Sequence, residues 1–206
     1  KEGVSRLTPS KKKMLDEEVI ACQNCFNYNL EINDNSRSDM GYGKLLSWLL
    51  DELTTTDIMV VGLNPSHRRF PGLKHHFSIS DFCKHNEGKV FAEMLIALDV
   101  YPRCFITNLV KCSTQFNKVS NADMRSCFFH LQKEIEYARP KLILACGKQV
   151  FNFLNIRPNI NVPIEYIFHP SYCFSYKRCT PEEYFEQVKG VLIKHGLYKE
   201  EDLFNR

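Results

Sequence analysis

The stretch Phe105–Cys127, with the sequence FITNLVKCSTQFNKVSNADMRSC, combines the features on which the interpretation of the whole chain depends. It continues a short apolar run, Cys104–Thr107, of the kind that forms a strand covered on both faces of a sheet. Asn108 follows where this strand should end, and Cys112 comes four residues later, ahead of Cys127. The stretch therefore predicts a buried strand, a polar residue at its carboxyl end and two cysteines soon after it.

Three more apolar runs predict buried strands, and segments with helical periodicity separate all four. The runs are Ile58–Val61, Leu142–Ala145 and Ile164–Phe168. Because strands that alternate with helices form parallel sheets with helices on both faces, we predict an α/β fold. We expect a three-layer α/β/α sandwich around a four-stranded parallel sheet. The predicted helices are Lys11–Ala21, Leu45–Leu53, Lys89–Leu98, Asn121–Ala138, Lys148–Leu154 and Pro181–His195.

The composition is that of a globular protein with a full core, since 44% of the 206 residues are hydrophobic and 25% are charged. At this length we expect a single domain over residues 1–206, with residues 1–9 flexible. The net charge of +3 weakly favours a nucleic-acid partner. No apolar run approaches the ~18 residues that span a bilayer, and no secretory signal is visible. We therefore expect an intracellular monomer without a membrane partner, in the cytoplasm or nucleoid, or in the nucleus if the source is eukaryotic or viral.

Polar residues follow three of the four predicted strands. Asn64, Asn108 and His169 come after the first, second and fourth strands, so parallel pairing brings them to one edge of the sheet. Ligands bind beyond this carboxyl edge in open α/β sheets. Each residue also has a plainer explanation: Asn64 forms a turn with the next proline, Asn108 caps a loop, and His169 is structural. Their convergence on one edge favours a shared site.

This edge carries amide and imidazole groups, with no Ser–His–Asp triad, carboxylate pair or phosphate-binding loop in its sequence motifs. Such groups suffice to break an N-glycosidic bond when the leaving base accepts negative charge. We expect Asn64 to position water, His169 to donate a hydrogen bond to the departing base, and Asn108 to read the base edge. An aromatic ring from the long loop at residues 67–88 is expected to stack on a flipped base. The candidates are Phe70, Phe77 and Phe82.

The nine cysteines favour a metal site in a reducing compartment, because an odd number cannot pair completely. Cys22-x-x-Cys25 has the spacing of a chelating turn, and Cys112 and Cys127 can close a four-cysteine site. Thiolates bind iron–sulfur clusters or zinc, and the spacing alone does not separate the two. A coincidental spacing of unbound thiols is the plainer alternative. Cys83, Cys173 and Cys179 have no obvious partner in the sequence.

Five segments stand in an order that carries a specific resemblance. They are Cys22-x-x-Cys25, Gly62-Leu63-Asn64-Pro65-Ser66, Thr107-Asn108-Leu109-Val110-Lys111-Cys112 with Cys127 behind it, Arg139-Pro140-Lys141-Leu142-Ile143-Leu144-Ala145-Cys146-Gly147, and His169-Pro170-Ser171-Tyr172. The Asn-x-x-Lys-Cys and His-Pro-Ser-Tyr motifs are quite specific together, whereas either alone is weak. Over roughly residues 18–195, the chain thereby resembles the uracil-DNA glycosylase superfamily, closest to its iron–sulfur, family 4-like branch.

The resemblance implies a base excision repair enzyme. Such an enzyme flips uracil out of single- or double-stranded DNA and hydrolyses its N-glycosidic bond to leave an abasic site. No lysine is placed as a Schiff-base nucleophile, so we expect a monofunctional glycosylase that does not cleave the strand. The resemblance also implies a structural [4Fe–4S] cluster, with zinc as the alternative. The implied ligands are Cys22, Cys25, Cys112 and Cys127.

By position, the resemblance makes Asn108 the uracil-reading residue and His169 the histidine of the second catalytic motif. It places Gly62 and Leu63 at the substrate. The segment Tyr172–Arg178 matches the loop that enters the minor groove at the flipped base. The expected DNA contacts are Ser171, Tyr172, Phe174 as the wedge, and Lys177 and Arg178 on phosphates.

The first motif departs from the iron–sulfur branch, which usually has Gly-Glu-x-Pro-Gly there. Leu63 replaces the Glu, and Asn64 and Ser66 also differ, which is more similar to the mismatch-specific branch with its Asn in the third place. We therefore expect an asparagine-type activation of water, and release of other deaminated bases stays open. The flanking segments are longer than usual in the family, so either Phe82 or Phe77 is the stacking ring.

Two other hypotheses stand beside a uracil-DNA glycosylase. The altered first motif permits a DNA-binding member of the same fold with lost or redirected catalysis. The third hypothesis is a zinc-stabilised nucleotide-binding or hydrolase domain unrelated to repair. Metal analysis and one glycosylase assay separate the three.

Overall fold

A computed structural model of the chain describes residues 9–22, 24, 48–49, 56–65, 86–100, 103–112 and 118–198. Within these residues, strands and helices alternate over most of the chain, as the hydrophobic pattern predicts. The strands are β1 (Trp48–Leu49), β2 (Ile58–Gly62), β3 (Cys104–Asn108), β4 (Leu142–Cys146) and β5 (Ile164–Ile167). The helices are α1 (Pro9–Ala21), α2 (Asn86–Ala97), α3 (Asn121–Ala138), α4 (Lys148–Asn155), α5 (Pro170–Phe174) and α6 (Pro181–Lys194).

The centre of the fold is a sheet in the order β1-β3-β2-β4-β5, in which β2 to β5 are parallel. The central strands are continuous apolar runs, and Ile58–Val61 in β2 is at most 2% exposed. Such runs suit a parallel sheet because helices cover both of its faces. The predicted four-stranded parallel sheet is confirmed, and β5 ends one residue earlier than expected, at Ile167.

The predicted helix over Leu45–Leu53 is wrong at the two residues of that segment that the structure describes. Trp48 and Leu49 form β1, which pairs antiparallel with β3 opposite Ile106 and Phe105. The outer edge of β3 presents backbone donors and acceptors that need partners, and pairing with β1 satisfies them. This long-range demand overrides the local helical pattern. The remainder of Leu45–Leu53 lies outside the described residues.

Two apolar layers cover the sheet because successive side chains of each strand point to opposite faces. On one face, Ile58 and Val60 pack with side chains of α2 and α6. On the other face, Met59 and Val61 pack with side chains of α3 and α4, and Leu15 of α1 joins them. The predicted α/β/α sandwich is therefore confirmed.

Helix termini follow local capping signals. Ser120 accepts a hydrogen bond from the Asp123 backbone N–H, while the Asp123 carboxylate accepts one from the Ser120 backbone N–H. This reciprocal capping box fixes the start of α3 where the sequence predicts it. Thr180 and Glu183 form the same arrangement at α6. Among the described helices, none is both long and apolar enough to cross a membrane.

The amino end of the sheet is closed by charges around Asp57, the residue before β2. Its carboxylate accepts from Arg103 at 2.9 Å and from Lys141 at 2.8 Å, and these residues directly precede β3 and β4. Burial by itself raises the pKa of Asp57, but the hydrogen bonds from Lys141 and Arg103 outweigh it and hold the pKa below its usual value. One carboxylate thus ties together the starts of the three central strands.

Candidate active site

The opposite, carboxyl edge of the sheet collects the polar residues that follow the strands. Gly62 and Asn108 are the last residues of β2 and β3 and lie opposite each other in the parallel register. Asn64 lies two residues beyond β2, and His169 lies two residues beyond β5. Asn64 and Asn108 are half-buried, whereas His169 is exposed. Parallel pairing thus brings the ends of these strands to one edge, as the sequence predicts.

Backbone hydrogen bonds join the loops that leave β2 and β3. The Leu109 N–H donates to the Gly62 carbonyl at 2.8 Å, and the Val110 N–H donates to the Leu63 carbonyl at 2.9 Å. These bonds extend the pairing of the two strands beyond their ends. The two predicted motifs therefore form one continuous piece of backbone structure.

The Asn108 side chain lies directly over Gly62. A methyl group built on Gly62 would come within 2.4 Å of Asn108 Oδ1, which is far inside normal contact. Only glycine leaves this space, so the first motif accommodates the Asn108 amide through the absence of a side chain. Asn108 is thereby held against the end of β2.

Behind Asn108 lies a buried polar cluster that sequence reasoning missed. Lys111 Nζ donates to Thr107 Oγ1 at 2.6 Å, to the Asn108 backbone carbonyl at 2.7 Å and to Glu134 Oε2 at 2.6 Å. Thr107 Oγ1 donates to the same Glu134 oxygen at 2.8 Å. The Lys111 and Glu134 side chains are 2% and 3% exposed. The sequence contains one signal for this cluster: Glu134 lies three residues after Leu131, on the side of α3 that faces the core, and a carboxylate there needs a buried partner.

Asn64 takes part in a local turn. Its Nδ2 donates to the backbone carbonyl of Pro65 at 3.1 Å. This contact matches the turn-forming explanation of the Asn64-Pro65 pair, and the residue before it, Leu63, is joined by its backbone to the loop from β3. The structure places Asn64 at the edge without assigning it a role.

His169 occupies the N-cap of α5, a short helix in a segment expected to be a loop. Its Nδ1 accepts a hydrogen bond from the Ser171 backbone N–H at 3.1 Å. A neutral imidazole that accepts at Nδ1 carries its proton on Nε2. The local geometry therefore selects the tautomer in which Nε2 donates.

The segment after His169 exposes aromatic and basic groups. Tyr172 stacks on Phe168 with ring centroids 4.9 Å apart and is 40% exposed, and Tyr176 is 70% exposed. Lys177 and Arg178 are also exposed, and Lys177 adopts a left-handed backbone conformation with φ of 50°. These side chains form a surface suited to phosphates and bases. Ser171 is half-buried in α5.

Cys173 and Cys179 form a disulfide that closes this segment, with their Cα atoms 4.6 Å apart. The sequence offered no obvious partner for either cysteine, and the structure pairs them with each other. The turn after α5 reverses the chain, as the Arg178 N–H donates to the Tyr172 carbonyl at 2.9 Å, and this reversal brings the two residues together. A contact made by chain reversal leaves no pattern in the cysteine spacing.

Three of the four proposed cluster ligands lie in the described part of the chain. The Lys111 backbone N–H donates to Cys127 Sγ at 3.2 Å, so Cys127 lies against the segment that includes Cys112. The helix before Cys22, α1, contacts the helix that holds Cys127, α3, through an ion pair between Glu18 and Lys133. Cys22 follows the end of α1 and is half-buried, like Cys112. Among the described residues, no three His, Cys, Asp or Glu side chains are arranged to hold a metal ion.

The remaining cysteines divide by burial. Cys104 and Cys146 lie in the core at 0% and 5% exposure, as expected from their apolar surroundings. Burial raises the pKa of the Cys146 thiol to about 12 and raises that of Cys104 as well. Both thiols therefore stay protonated at neutral pH, which makes them poor metal ligands.

Several expected site residues lie outside what the structure describes. These are Cys25, Phe70, Phe77, Phe82 and the side chain of Phe174. The identity of the ring that stacks on a base stays a prediction, as do the metal cluster with all four of its ligands and the wedge.

An open cleft elsewhere on the molecule does not include the strand-end residues. It lies between α3 and α4, has a volume of about 370 Å³ and is lined in part by Arg125, Gln149 and Arg157. The Arg157 guanidinium stacks on the Phe153 ring at 4.1 Å from its centroid. The carboxyl edge remains the candidate site because it collects residues from three strands.

A parallel sheet covered on both faces, with amide and imidazole groups beyond its carboxyl edge, defines the class of fold and site. The family model described as the uracil DNA glycosylase superfamily matches residues 51–192, which is more than half of the chain. The chain therefore belongs to the uracil DNA glycosylase superfamily. This match spans the first motif, the β3 stretch and the His169 segment, which confirms the resemblance to the superfamily, while the branch within it stays a prediction.

The fold is similar to that in the crystal structure of wild-type SMUG2 from Pedobacter heparinus. The TM-score is 0.51 at 12% sequence identity, and the alignment covers 68% of this chain and 76% of that one. At such low identity the similarity bears on the fold alone. No curated protein matches the chain in sequence.

Proposed function

We propose that this protein is a monofunctional DNA-repair glycosylase that flips uracil out of DNA and hydrolyses its N-glycosidic bond. The observation that carries this proposal is the convergence of Asn64, Asn108 and His169 on one sheet edge. Membership of the uracil DNA glycosylase superfamily supports this class of reaction. The product is DNA with an abasic site, and the strand stays intact because no lysine amine is assigned to attack the sugar.

The proposed reaction needs stabilisation of a departing base more than it needs a strong base. The bond between the sugar C1′ and the uracil nitrogen breaks, and its electron pair leaves with uracil. The oxygen of a water molecule then bonds to C1′, and the proton it loses balances the charge of the uracil anion. Preorganised donors aimed at the leaving base are the main source of rate in such a step.

Each edge residue suits one part of this reaction. His169, with Nδ1 engaged by the Ser171 N–H, offers Nε2–H to the oxygen of uracil on which charge develops. Asn108, held over Gly62, offers an amide donor and acceptor to the base edge. Asn64 positions the water. Leu63 stands where the iron–sulfur branch has an acid, so water activation relies on the Asn64 amide.

The DNA is proposed to lie across the surface formed by Tyr172, Tyr176, Lys177 and Arg178. The exposed cations suit phosphates, and the exposed rings suit unstacked bases. Ser171 is proposed as a further DNA contact and Phe174 as the wedge. Because phosphate contacts release counterions, binding should weaken steeply as salt rises.

We also propose that Cys22, Cys25, Cys112 and Cys127 hold a structural [4Fe–4S] cluster, with zinc as the alternative. Two observations support the fit. The N–H donated to Cys127 Sγ at 3.2 Å is the kind of bond that stabilises a thiolate ligand. Glu18 of α1 pairs with Lys133 of α3, and the charge of Asp16 acts on Tyr137, so α1 runs antiparallel to α3 and its end, before Cys22, points toward the half of α3 that holds Cys127.

The proposed activity is tested with labelled single- and double-stranded oligonucleotides that contain one uracil. We expect alkali-labile abasic sites from the uracil strands, none from matched thymine strands, and no cleavage before alkali. Strands with other deaminated bases, run in parallel, define the base range. Absence of abasic product from every uracil strand, with protein of native metal content, would refute the proposal.

The altered first motif and the Asn64–Pro65 contact favour one alternative, a DNA-binding member of the family with lost or redirected catalysis. It predicts salt-dependent binding of uracil-containing DNA without base release. Iron, acid-labile sulfide and zinc measured on the same preparation decide the metal. Stoichiometric zinc without iron would exclude the cluster and leave the fold unaffected.

A further inference from the structure

We propose that the buried pair Lys111–Glu134 is a positioning device that holds Asn108 in its base-reading orientation. The pair does not touch the expected position of the base. It acts through the backbone of the last residue of β3. This inference rests on the proposed function for its kinetic consequence, while the position of Asn108 is measurable without activity.

The ammonium of Lys111 is used completely. Its three donors meet three oxygens at 2.6–2.7 Å: the Thr107 hydroxyl, the Asn108 backbone carbonyl and the Glu134 carboxylate. Lys111 as a whole is 1% exposed, so solvent does not compete for these bonds. A charge-assisted bond from this buried ammonium to the Asn108 carbonyl is short and directional. It therefore restricts rotation of the backbone at the residue that carries the reading amide.

Stability alone does not explain such a pair. Removing two charges from water offsets most of their attraction, and apolar residues of similar volume are often as stabilising. Most of the surroundings on this face are apolar, since Leu109, Met124 and Leu131 are fully buried in the same layer. An ion pair at this position fixes the distances and directions between Lys111 and its partners, which apolar side chains would not do.

Asn108 is consequently held from two sides. On the β2 side, its Oδ1 lies over Gly62, where even a methyl group does not fit. On the α3 side, its carbonyl is held by Lys111, whose own backbone N–H donates to Cys127 Sγ. Lys111 thus connects Asn108, Glu134 and Cys127 through one residue. A shift of α3 relative to β3 would therefore strain the contacts that hold Asn108.

The test replaces the pair with apolar residues in the variant Lys111→Met/Glu134→Leu, which avoids leaving one buried charge alone. The matched control is Lys194→Met/Glu165→Leu, which removes a partly exposed ion pair between β5 and α6, together with the contact of Glu165 to His195. Circular dichroism and thermal melting establish that both variants fold. If the buried double variant does not fold, Thr107→Val removes the two hydrogen bonds of the Thr107 hydroxyl, leaves the bond from Lys111 to the Asn108 carbonyl in place, and is expected to show a smaller effect in the same direction.

The first readout needs no activity. In protein with isotope-labelled asparagine, the Asn108 side-chain amide signals are those missing from Asn108→Ala. We expect these signals to shift and broaden in Lys111→Met/Glu134→Leu and to stay unchanged in the control. Unchanged Asn108 signals in the folded double variant would overturn the proposal, whether or not the wild-type protein releases uracil.

The second readout separates positioning from a general structural effect. With wild-type activity, we expect Lys111→Met/Glu134→Leu to lower kcat/KM on uracil DNA by about 10²-fold, the scale of a ~1 Å misplacement. In the Asn108→Ala background, the same change should cause no further loss, because residues that act through one group are not additive. An equal loss in both backgrounds would show a structural role. Absence of wild-type base release would refute the proposed function and leave the amide readout to decide positioning.

Discussion

Replacing Gly62 with alanine puts a methyl group where the Asn108 side-chain oxygen lies. The methyl carbon would stand 2.4 Å from Asn108 Oδ1, and an ordinary contact begins at 3.4 Å, so the two groups must separate by 1.0 Å. Gly62 is a strand residue paired with Asn108, and its backbone cannot retreat without breaking the register. The displacement therefore falls mainly on the Asn108 amide.

The expected result of Gly62→Ala is a selective loss of base recognition. A misplacement of ~1 Å at a reading group lowers kcat/KM by about 10²-fold. Overpacking of this kind lowers the free energy of unfolding by about 1–3 kcal/mol, which leaves most domains folded at 25 °C. Single-turnover release of uracil from a labelled oligonucleotide measures the first effect, and thermal melting measures the second.

The matched control is Gly190→Ala in α6. A methyl group at Gly190 meets no atom within 4 Å, so this variant should keep full activity. It should also gain stability of up to about 1 kcal/mol, because alanine favours a helix over glycine. Wild-type kcat/KM in Gly62→Ala would refute the reasoning, since the Asn108 amide would then not be reading the base from where it lies.

Three more predictions concern other parts of the molecule. His169→Ala should lower kcat by about 10²–10³-fold with little change in KM, as for loss of one donor to a developing anion. His169→Asn keeps a side chain that can cap the helix and should lose as much activity; full activity of this variant would show that His169 only caps α5. Asp57→Asn should lower the melting temperature at neutral pH. Because the pKa of Asp57 in the folded protein lies below 3.8, the stability advantage of the wild type should persist above pH 3.8 and vanish as the pH falls through that lower pKa. A difference in melting temperature that does not change with pH would contradict the charge pairing. Cys112→Ser should cost the protein the iron and sulfide of the proposed cluster, lower its melting temperature and, as a consequence, slow base release. An unchanged melting curve with full activity would show that Cys112 has no role in the candidate site.

Much of the fold could be predicted because its signals are local. The four parallel strands are continuous apolar runs, and the start of α3 follows from the Ser120 and Asp123 side chains acting on adjacent backbone. The edge that collects Asn64, Asn108 and His169 follows from parallel pairing alone. The family resemblance rested on the same short motifs, and the family match confirms it.

The features that sequence reasoning missed depend on contacts between distant residues. β1 forms because the edge of β3 needs a partner, and the local sequence at Trp48–Leu49 does not predict a strand. The Lys111–Glu134 pair joins residues 23 positions apart, and each residue alone is an ordinary charged side chain. The Cys173–Cys179 pair depends on the reversal of the chain after α5. Local patterns predict elements well, and they predict such pairings poorly.

The Asp57 carboxylate suggests how this fold accommodates change. It secures the beginnings of β2, β3 and β4 at the end of the sheet that is remote from the candidate site. Loops at the carboxyl edge can therefore acquire substitutions without loosening the strands that carry them. Efforts to change the ligand specificity of this protein should vary residues beyond β2, β3 and β5 and leave Asp57, Arg103 and Lys141 untouched.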